Sequence, residues 1–482
     1  MGKAKRAILE KLPRSGRACA GMLAITLLAF WSMTQLGTWW TPPLNSIVFA
    51  VMLGVMLQRA LQRVGLNKLP VAAATFAVGT AAAVGCGMLI EGNSGLRALG
   101  AVLFAAGVAL PVWARRFGGI WKATGTVFTM PFMAILVHPV PLEQSAGFFG
   151  WELIAAAIAF AWAAILKVLE NAHAETSEQA DSPTTEKTSK LPSSTKMAIQ
   201  LAVAIVAAFV CAQLVDADHL VWPVLTVLIV HSGNNGRGDI LWKGVQRTAG
   251  ALVGATIASL VAINLAPQES LEIVAIFAIL AFAAAVREYS YLFWAACIPA
   301  ALVFLYSFFG QSGAELAAHL AHRLLGIALG SAIGIASGYF LLPIRVVDVV
   351  RLRLGALLST AGGLAVSAAK GEAGKPALEE LAREDAALSH FDGVTRAARY
   401  YGLGVARRLN GAIVGAHALA CGLQSEAALQ DRASLAALAK EIGAARKTLS
   451  PDAAVLDLQE PDTANPLIES VRAITDARLG QK

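Results

Sequence analysis

Residues 219–262 read HLVWPVLTVLIVHSGNNGRGDILWKGVQRTAGALVGATIASLVA, and this stretch decides the class of fold. One apolar run ends at a turn rich in Gly and Asn, and a second run of Ala, Val, Leu and Gly follows Gln246 and Arg247. In the second run Gly250 and Gly254 form a GxxxG motif, which lets two helix backbones approach closely inside a lipid bilayer. Two apolar helices joined by a polar turn with basic residues are typical of a membrane protein.

The composition of the whole chain supports this interpretation. Its 482 residues are 56% hydrophobic and only 15% charged, whereas soluble domains carry about 25% charged residues. Residues 344–482 hold 33 charged residues on 139 positions, so the charge is concentrated after a largely apolar first part. The net charge of +7 does not indicate a nucleic-acid partner, because the basic residues lie mainly in short loops between apolar runs.

The number and spacing of the apolar runs predict the architecture. A helix needs about 20 residues to cross the hydrocarbon core of a bilayer. Candidate spans lie near residues 19–38, 43–58, 69–90, 97–114, 120–137, 150–169, 197–215, 220–232, 247–265, 271–286, 291–309 and 323–342. We therefore predict an all-α polytopic membrane protein with about 12 transmembrane helices in two six-helix halves, followed by a cytoplasmic helical domain. The predicted boundaries are 1–170 for the first half, 171–196 for a flexible cytoplasmic linker, 197–343 for the second half and 344–482 for the helical domain.

The distribution of basic residues predicts the topology. Lys and Arg cluster in every second loop, and cytoplasmic loops are the ones enriched in these residues. Both termini are therefore predicted to be cytoplasmic. The first apolar run is longer than that of a signal peptide and ends at Trp39 and Trp40, which predicts an uncleaved first span.

The last predicted span carries glycine at four-residue intervals, at Gly326, Gly330, Gly334 and Gly338. This spacing puts the four glycines on one helix face, which favours tight contact with a neighbouring helix. A sliding or gating surface is the alternative interpretation.

Motifs that would indicate an enzyme are missing from the sequence. The segment GNNGRGD at 233–239 lacks the GK[ST] ending of a phosphate-binding loop and is interpreted as a turn. Cys19, Cys86, Cys211 and Cys297 lie in or beside apolar runs, without metal-binding spacing. We expect no catalytic activity and no cofactor, so that solute movement would use a gradient, a separate ATPase or passive flow.

Two arginines are the strongest candidates for a binding site, since charged residues at membrane depth are costly unless they serve a purpose. Arg247, at the start of the predicted ninth span, is suited to hold a carboxylate, or it anchors the helix at the inner surface. Arg323 lies on the predicted outer side, where topology disfavours a cation. With His319 and His322 it would attract an anion, or it would pair with Glu315.

Three further residues complete the candidate site. His231 follows the eighth span and would either relay protons or act as a hydrogen-bonded interfacial histidine. Trp222 would stack on an aromatic ligand or belong to the aromatic belt at the membrane surface. Arg287 is a further basic residue, in the inner loop that follows the tenth span.

The segments WPVLTVLIV at 222–230 and QRTAGALVGA at 246–255 resemble the fusaric acid resistance family of bacterial inner-membrane proteins, and RLLGIALG at 323–330 is similar in style. The resemblance is best across residues 197–343. The family includes aromatic acid exporters, and its wider clan includes the plant aluminium-activated malate channels. The resemblance implies export of small organic, often aromatic, carboxylic acids, with Arg247 at the position of the family's basic residue before the glycine-rich span. It also implies a periplasmic adaptor protein as a partner.

Three hypotheses of function follow. The first is a gradient-driven exporter of organic acids, and the second is a gated organic-anion channel that uses the same basic residues. The third is a membrane scaffold without transport activity, whose C-terminal part recruits other proteins. The expected partners are the lipid bilayer and a small organic anion, with an adaptor and a second copy of the chain as candidate protein partners and no nucleic acid.

Overall fold

A computed structural model of the chain describes residues 2–62, 64–137, 145–172, 192–215, 221–233, 236–264, 269–286, 290–308, 313–343, 346–371, 375–389, 391, 404–425, 432–449 and 466–476. The regular elements in these ranges are all helices. The first six are α1 (Gly2–Leu36), α2 (Leu44–Gln62), α3 (Leu69–Ile90), α4 (Ser94–Ala114), α5 (Gly119–Ile135) and α6 (Ser145–Ala172). The next six are α7 (Ser193–Val215), α8 (Val221–His231), α9 (Arg237–Asn264), α10 (Glu269–Val286), α11 (Tyr291–Phe308) and α12 (Gly313–Phe340). Five more follow: α13 (Val346–Lys370), α14 (Lys375–Ser389), α15 (Gly404–Leu423), α16 (Arg432–Thr448) and α17 (Pro466–Asp476).

The helices form two compact units. The membrane unit comprises Met1–Asn234 with Ile240–Pro343, and the C-terminal unit comprises Asn235–Asp239 with Ile344–Lys482. The two predicted six-helix halves thus belong to one unit, and their separation into halves stays a prediction.

Local signals account for several helix ends in the membrane unit. The Asn93 side chain caps α4 by accepting a hydrogen bond of 3.0 Å from the backbone N–H of Leu96. Pro70 lies in the first turn of α3, where its missing N–H costs nothing. Gly118 has a φ of 64° between α4 and α5, a conformation that glycine adopts without strain.

Length and apolar character make this chain a multi-pass membrane protein. Within the described ranges, ten helices are long and apolar enough to cross a membrane, and α13 is one of them. Shorter apolar helices lie at Thr124–Ile135, Val221–His231 and Glu272–Val286. Large apolar side chains such as Val78, Leu214 and Phe340 are 63–87% exposed, as expected of a surface that faces lipid.

One apolar core cluster of the membrane unit joins residues of α1–α8 with Leu302 on α11, and two smaller clusters involve α9–α12. Helix α1 packs against α2, α6 and α10, and α4 packs against α3, α5 and α7. The Cys19 thiol on α1 donates to the backbone oxygen of Ala281 on α10 at 3.2 Å. The rings of Phe104 and Phe209, on α4 and α7, meet edge to face with centroids 5.9 Å apart.

The predicted tight contact along α12 is confirmed. A Cβ atom on Gly326 would lie 2.7 Å from the Cβ of Trp222, and one on Gly330 would overlap the backbone oxygen of Pro223. Helix α12 therefore lies against α8 through bare backbone. The same holds for α9 against α11, because a Cβ on Gly254 would overlap the backbone oxygen of Ala296.

The predicted starts of two spans were wrong. The ninth and twelfth spans were predicted to begin at Arg247 and Arg323, but α9 begins at Arg237 and α12 at Gly313. The polar residues at 237–246 and 313–322 interrupted the apolar runs in the sequence. They do not interrupt the helix, because backbone hydrogen bonds form whatever the side chain is. Both arginines consequently lie well inside their helices.

The C-terminal unit is built around α13. This helix packs against α14, α15 and α16, while α17 packs against α15 and α16. Its buried residues include Leu354, Leu357 and Leu364, which join Leu419 and Leu438 in a core of their own. The side chains of Asp385 and His417 link α14 to α15 at 2.6 Å.

Candidate functional site

Helices α9 and α12 bring the two candidate arginines into the interior of the membrane unit. Each helix has 28 residues, and the arginine is the eleventh residue of each. At 1.5 Å per residue, each arginine lies about 15 Å along its helix. The two helices run antiparallel, since Thr248 donates to Ser331 at 3.0 Å while Gly244 lies beside Ile335. The helix starts from which Arg247 and Arg323 are counted therefore lie at opposite ends of the bundle.

Both guanidinium groups are buried, and five of their six nitrogens lack a hydrogen-bond partner among the described residues. Arg247 and Arg323 are each 1% exposed. Nε and Nη1 of Arg247, and all three guanidinium nitrogens of Arg323, are buried without an acceptor among the described residues. Ion pairs of Arg351, Arg353 and His417 lie elsewhere in the chain. The side chain of Glu315, the predicted alternative partner of Arg323, lies outside the described residues.

Unpaired buried cations are costly, because water has been removed and no carboxylate among the described residues replaces it. The guanidinium group stays protonated under all physiological conditions, so it cannot escape this cost by losing a proton. Arg247 and Arg323 also lie close enough to interact electrostatically, and like charges repel. A ligand that carries negative charge would supply acceptors and offset the repulsion.

Trp222 provides an aromatic face for one of the two cations. The Arg323 guanidinium carbon lies 4.3 Å from the centroid of the Trp222 ring. This is within range of a cation–π interaction, which is stronger away from water. Trp222 is only 6% exposed, so its ring belongs to the bundle interior rather than to an aromatic belt. Tyr306 on α11 lies near Arg323, and its ring lies 5.9 Å from that of His319.

His231 lies beside α12 but is fully engaged. Its Nδ1 lies 3.1 Å from the backbone oxygen of Val227, and its Nε2 lies 3.1 Å from the Ser337 hydroxyl. A neutral ring that donates from Nδ1 and accepts at Nε2 satisfies both contacts. His231 therefore fits the hydrogen-bonded alternative better than the proton relay. Arg287, the remaining predicted site residue, lies outside the described residues.

The structure adds two residues that sequence reasoning did not select. Thr226 on α8 is 0% exposed, and its hydroxyl has no hydrogen-bond partner among the described residues. Glu152 on α6 is also 0% exposed, with one carboxyl oxygen left without a partner. The signal for Glu152 was present, since it is an acidic residue inside an apolar run. The sequence contains no signal for Thr226. Threonine is common in apolar helices, where its hydroxyl usually bonds to the backbone of its own helix, and only the structure shows that Thr226 differs.

The arrangement is suited to bind a small organic anion. Guanidinium groups donate paired N–H groups that match the two oxygens of a carboxylate, and the Trp222 ring already stacks on the Arg323 group. Three or more metal-binding side chains do not come together anywhere in the described part of the chain.

Comparison with known proteins supports the resemblance seen in the sequence. Residues 203–337 match a family described as "Fusaric acid resistance protein-like". The matched region contains Trp222, Arg247 and Arg323, so the candidate site lies inside it. No curated protein and no solved structure matches the chain.

Proposed function

We propose that this chain, which carries a fusaric acid resistance protein-like region, exports small organic carboxylic acids across the inner membrane. Aromatic acids are the favoured substrates, and an ion gradient drives the movement. The observation that carries the proposal is the pair of fully buried arginines without acidic partners among the described residues. A structural role alone would favour paired or solvated cations at these positions.

The two arginines suggest an order of events. With both termini in the cytoplasm, α9 begins at the inner surface and α12 at the outer surface. A carboxylate that leaves the cell would first meet Arg247 and then Arg323 above the Trp222 ring. Two successive cations would keep the anion paired while it crosses the hydrocarbon core, where an unpaired charge has a high free energy.

In this conformation the site is closed, since both arginines are 1% exposed. Substrate must therefore be admitted by a movement of helices. The contact between α8 and α12 is suited to such movement, because glycine backbone on α12 has no side chains that interlock with its neighbour. This proposal corresponds to the gating alternative for the glycine face.

Vesicles prepared from cells with and without the gene provide the direct test. Efflux of labelled benzoate should be faster from vesicles with the wild-type protein. Arg247→Gln and Arg323→Gln should each reduce the rate by at least tenfold, because each removes one cation from the path. Arg116→Gln is the matched control, since Arg116 is an exposed arginine stacked on Trp113 at 3.8 Å. It should leave efflux unchanged.

The rival functions give different results in the same system. A gated channel would pass large currents that persist after the proton gradient is collapsed. A scaffold would show no efflux in any vesicle across a panel of acids. Either result would contradict the exporter proposal. The adaptor protein and the homo-oligomer stay predictions, which co-purification from membranes tests.

A further inference from the structure

A second polar site lies between α2 and α6, where Glu152 contacts Ser46. Glu152 is the sixth residue of the apolar segment Gly147–Glu170, about 8 Å inside it along the helix. One carboxyl oxygen, Oε1, accepts a hydrogen bond of 3.1 Å from the Ser46 hydroxyl. The other, Oε2, is buried and has no partner among the described residues.

The helices around Glu152 bring no cation to it within the described part of the chain. Helices α1, α2 and α3 pack against α6. Titratable and charged groups with described side chains on these four helices include Cys19, Cys86, Arg59, Lys167 and Glu170, and α1 also carries Lys3, Lys5, Arg6, Glu10, Lys11, Arg14 and Arg17, whose side chains lie outside the described residues. Arg59 lies 13 residues beyond Ser46, and Lys167 lies 15 residues beyond Glu152, so each is about 20 Å away along its helix.

An ionised carboxylate with one hydroxyl partner is very unfavourable at this depth. Binding a proton removes the charge and leaves a neutral acid, which needs far less compensation. Glu152 is therefore a carboxyl that must be protonated when it is enclosed, and that can ionise only when the helices part and admit water. A group with this behaviour alternates between two protonation states as the protein changes conformation.

We propose that Glu152 is the proton-binding group that couples export to the proton gradient. The inference rests on the proposed transport function. In the predicted topology α2 and α6 both begin at the outer surface, so the carboxylate takes a proton from that side onto Oε2. After the organic anion has left on the outer side, the return conformational change turns Glu152 toward the cytoplasm, where it releases this proton. The Ser46 hydroxyl holds Oε1 in both states and directs the proton to Oε2.

Reconstituted full-length protein separates coupling from substrate movement. Two activities are measured in proteoliposomes: accumulation of labelled benzoate driven by an imposed pH gradient, and exchange of labelled for unlabelled benzoate without a gradient. Glu152→Gln mimics the protonated acid permanently. It should lower gradient-driven accumulation by at least tenfold and leave exchange within about twofold of wild type. Glu170 is an exposed acid near the other end of α6, and Glu170→Gln is the control. This variant should retain both activities.

Infrared titration tests Glu152 without relying on transport. The wild-type protein and Glu170→Gln should show a carboxylic-acid C=O band in apolar surroundings that is missing in Glu152→Gln. If wild-type protein moves no acid but shows this band, the transport function fails while protonation of Glu152 stands. Gradient-driven accumulation at the wild-type rate in Glu152→Gln, or an unchanged infrared band, would overturn the inference. If Glu152→Gln lost exchange as well, the infrared comparison would decide.

Discussion

The guanidinium carbon of Arg323 lies 4.3 Å from the centroid of the Trp222 ring, and both side chains are buried. The ring holds the guanidinium group from one face and leaves its nitrogens, which have no acceptor among the described residues, available to a ligand. A cation held in this way is positioned before substrate arrives.

Trp222→Leu should therefore weaken transport at low benzoate concentration. A desolvated cation–π contact is worth about 2 kcal/mol, so we expect an increase in KM of about tenfold or more. Trp222→Phe should keep most of the affinity because it retains an aromatic face. Initial efflux rates over a range of benzoate concentrations measure the change. Trp31→Leu, at a tryptophan that is 56% exposed, is the control, and equal effects at both tryptophans would contradict the assigned role.

Gly330→Ala should destabilise the membrane unit. Its Cβ would overlap the backbone oxygen of Pro223 and lie 2.8 Å from the Cβ of Thr226. Because backbone cannot rotate out of the way, we expect a loss of about 1–3 kcal/mol, as for other overpacked sites. Thermal unfolding in detergent should show a lower Tm. Gly85→Ala meets open space and should leave Tm unchanged; similar shifts in both variants would argue against close α8–α12 contact.

His231→Phe should affect stability rather than the pH dependence of transport. Both ring nitrogens already have partners, the backbone oxygen of Val227 and the Ser337 hydroxyl. Replacing the ring removes both of these contacts, while the proposed proton site at Glu152 is intact. Efflux rates from pH 5 to pH 8 should therefore keep the wild-type profile at a reduced level. A profile that lost its inflection would restore the proton-relay hypothesis.

Gly415→Ala should loosen the C-terminal unit where α15 meets α17. A Cβ on Gly415 would lie 2.7 Å from the backbone oxygen of Ser470, whereas Gly411, one turn earlier, faces open space. Hydrogen exchange in the full-length protein should become faster across α17 in Gly415→Ala. The same measurement on Gly411→Ala should give wild-type protection, and equal exchange in the two variants would contradict this contact.

The sequence predicted the helical membrane class well. In lipid the backbone N–H and C=O groups of a long apolar run must bond to each other, and a helix is one of the few structures that allows this. It located the glycine face of α12, since four-residue spacing alone places those residues together. It misplaced the starts of α9 and α12, because the hydropathy of single residues does not reveal that a helix continues through a charged stretch. The stacking of Arg323 on Trp222 could not be predicted from the sequence, since those residues are 101 positions apart and only the packed bundle brings them together.

The buried arginines have an electrical consequence. Fixed positive charge in the interior favours a permeating species of net negative charge, and a resting cell is negative inside. Each anion that moves outward is therefore assisted by the membrane voltage, by about 2.3 kcal/mol per 100 mV for one elementary charge. A proton that moves inward is also assisted by this voltage, because a positive charge is attracted to the negative interior. Export coupled in this way would stay effective when the acidity on the two sides is equal, as long as the membrane is polarised.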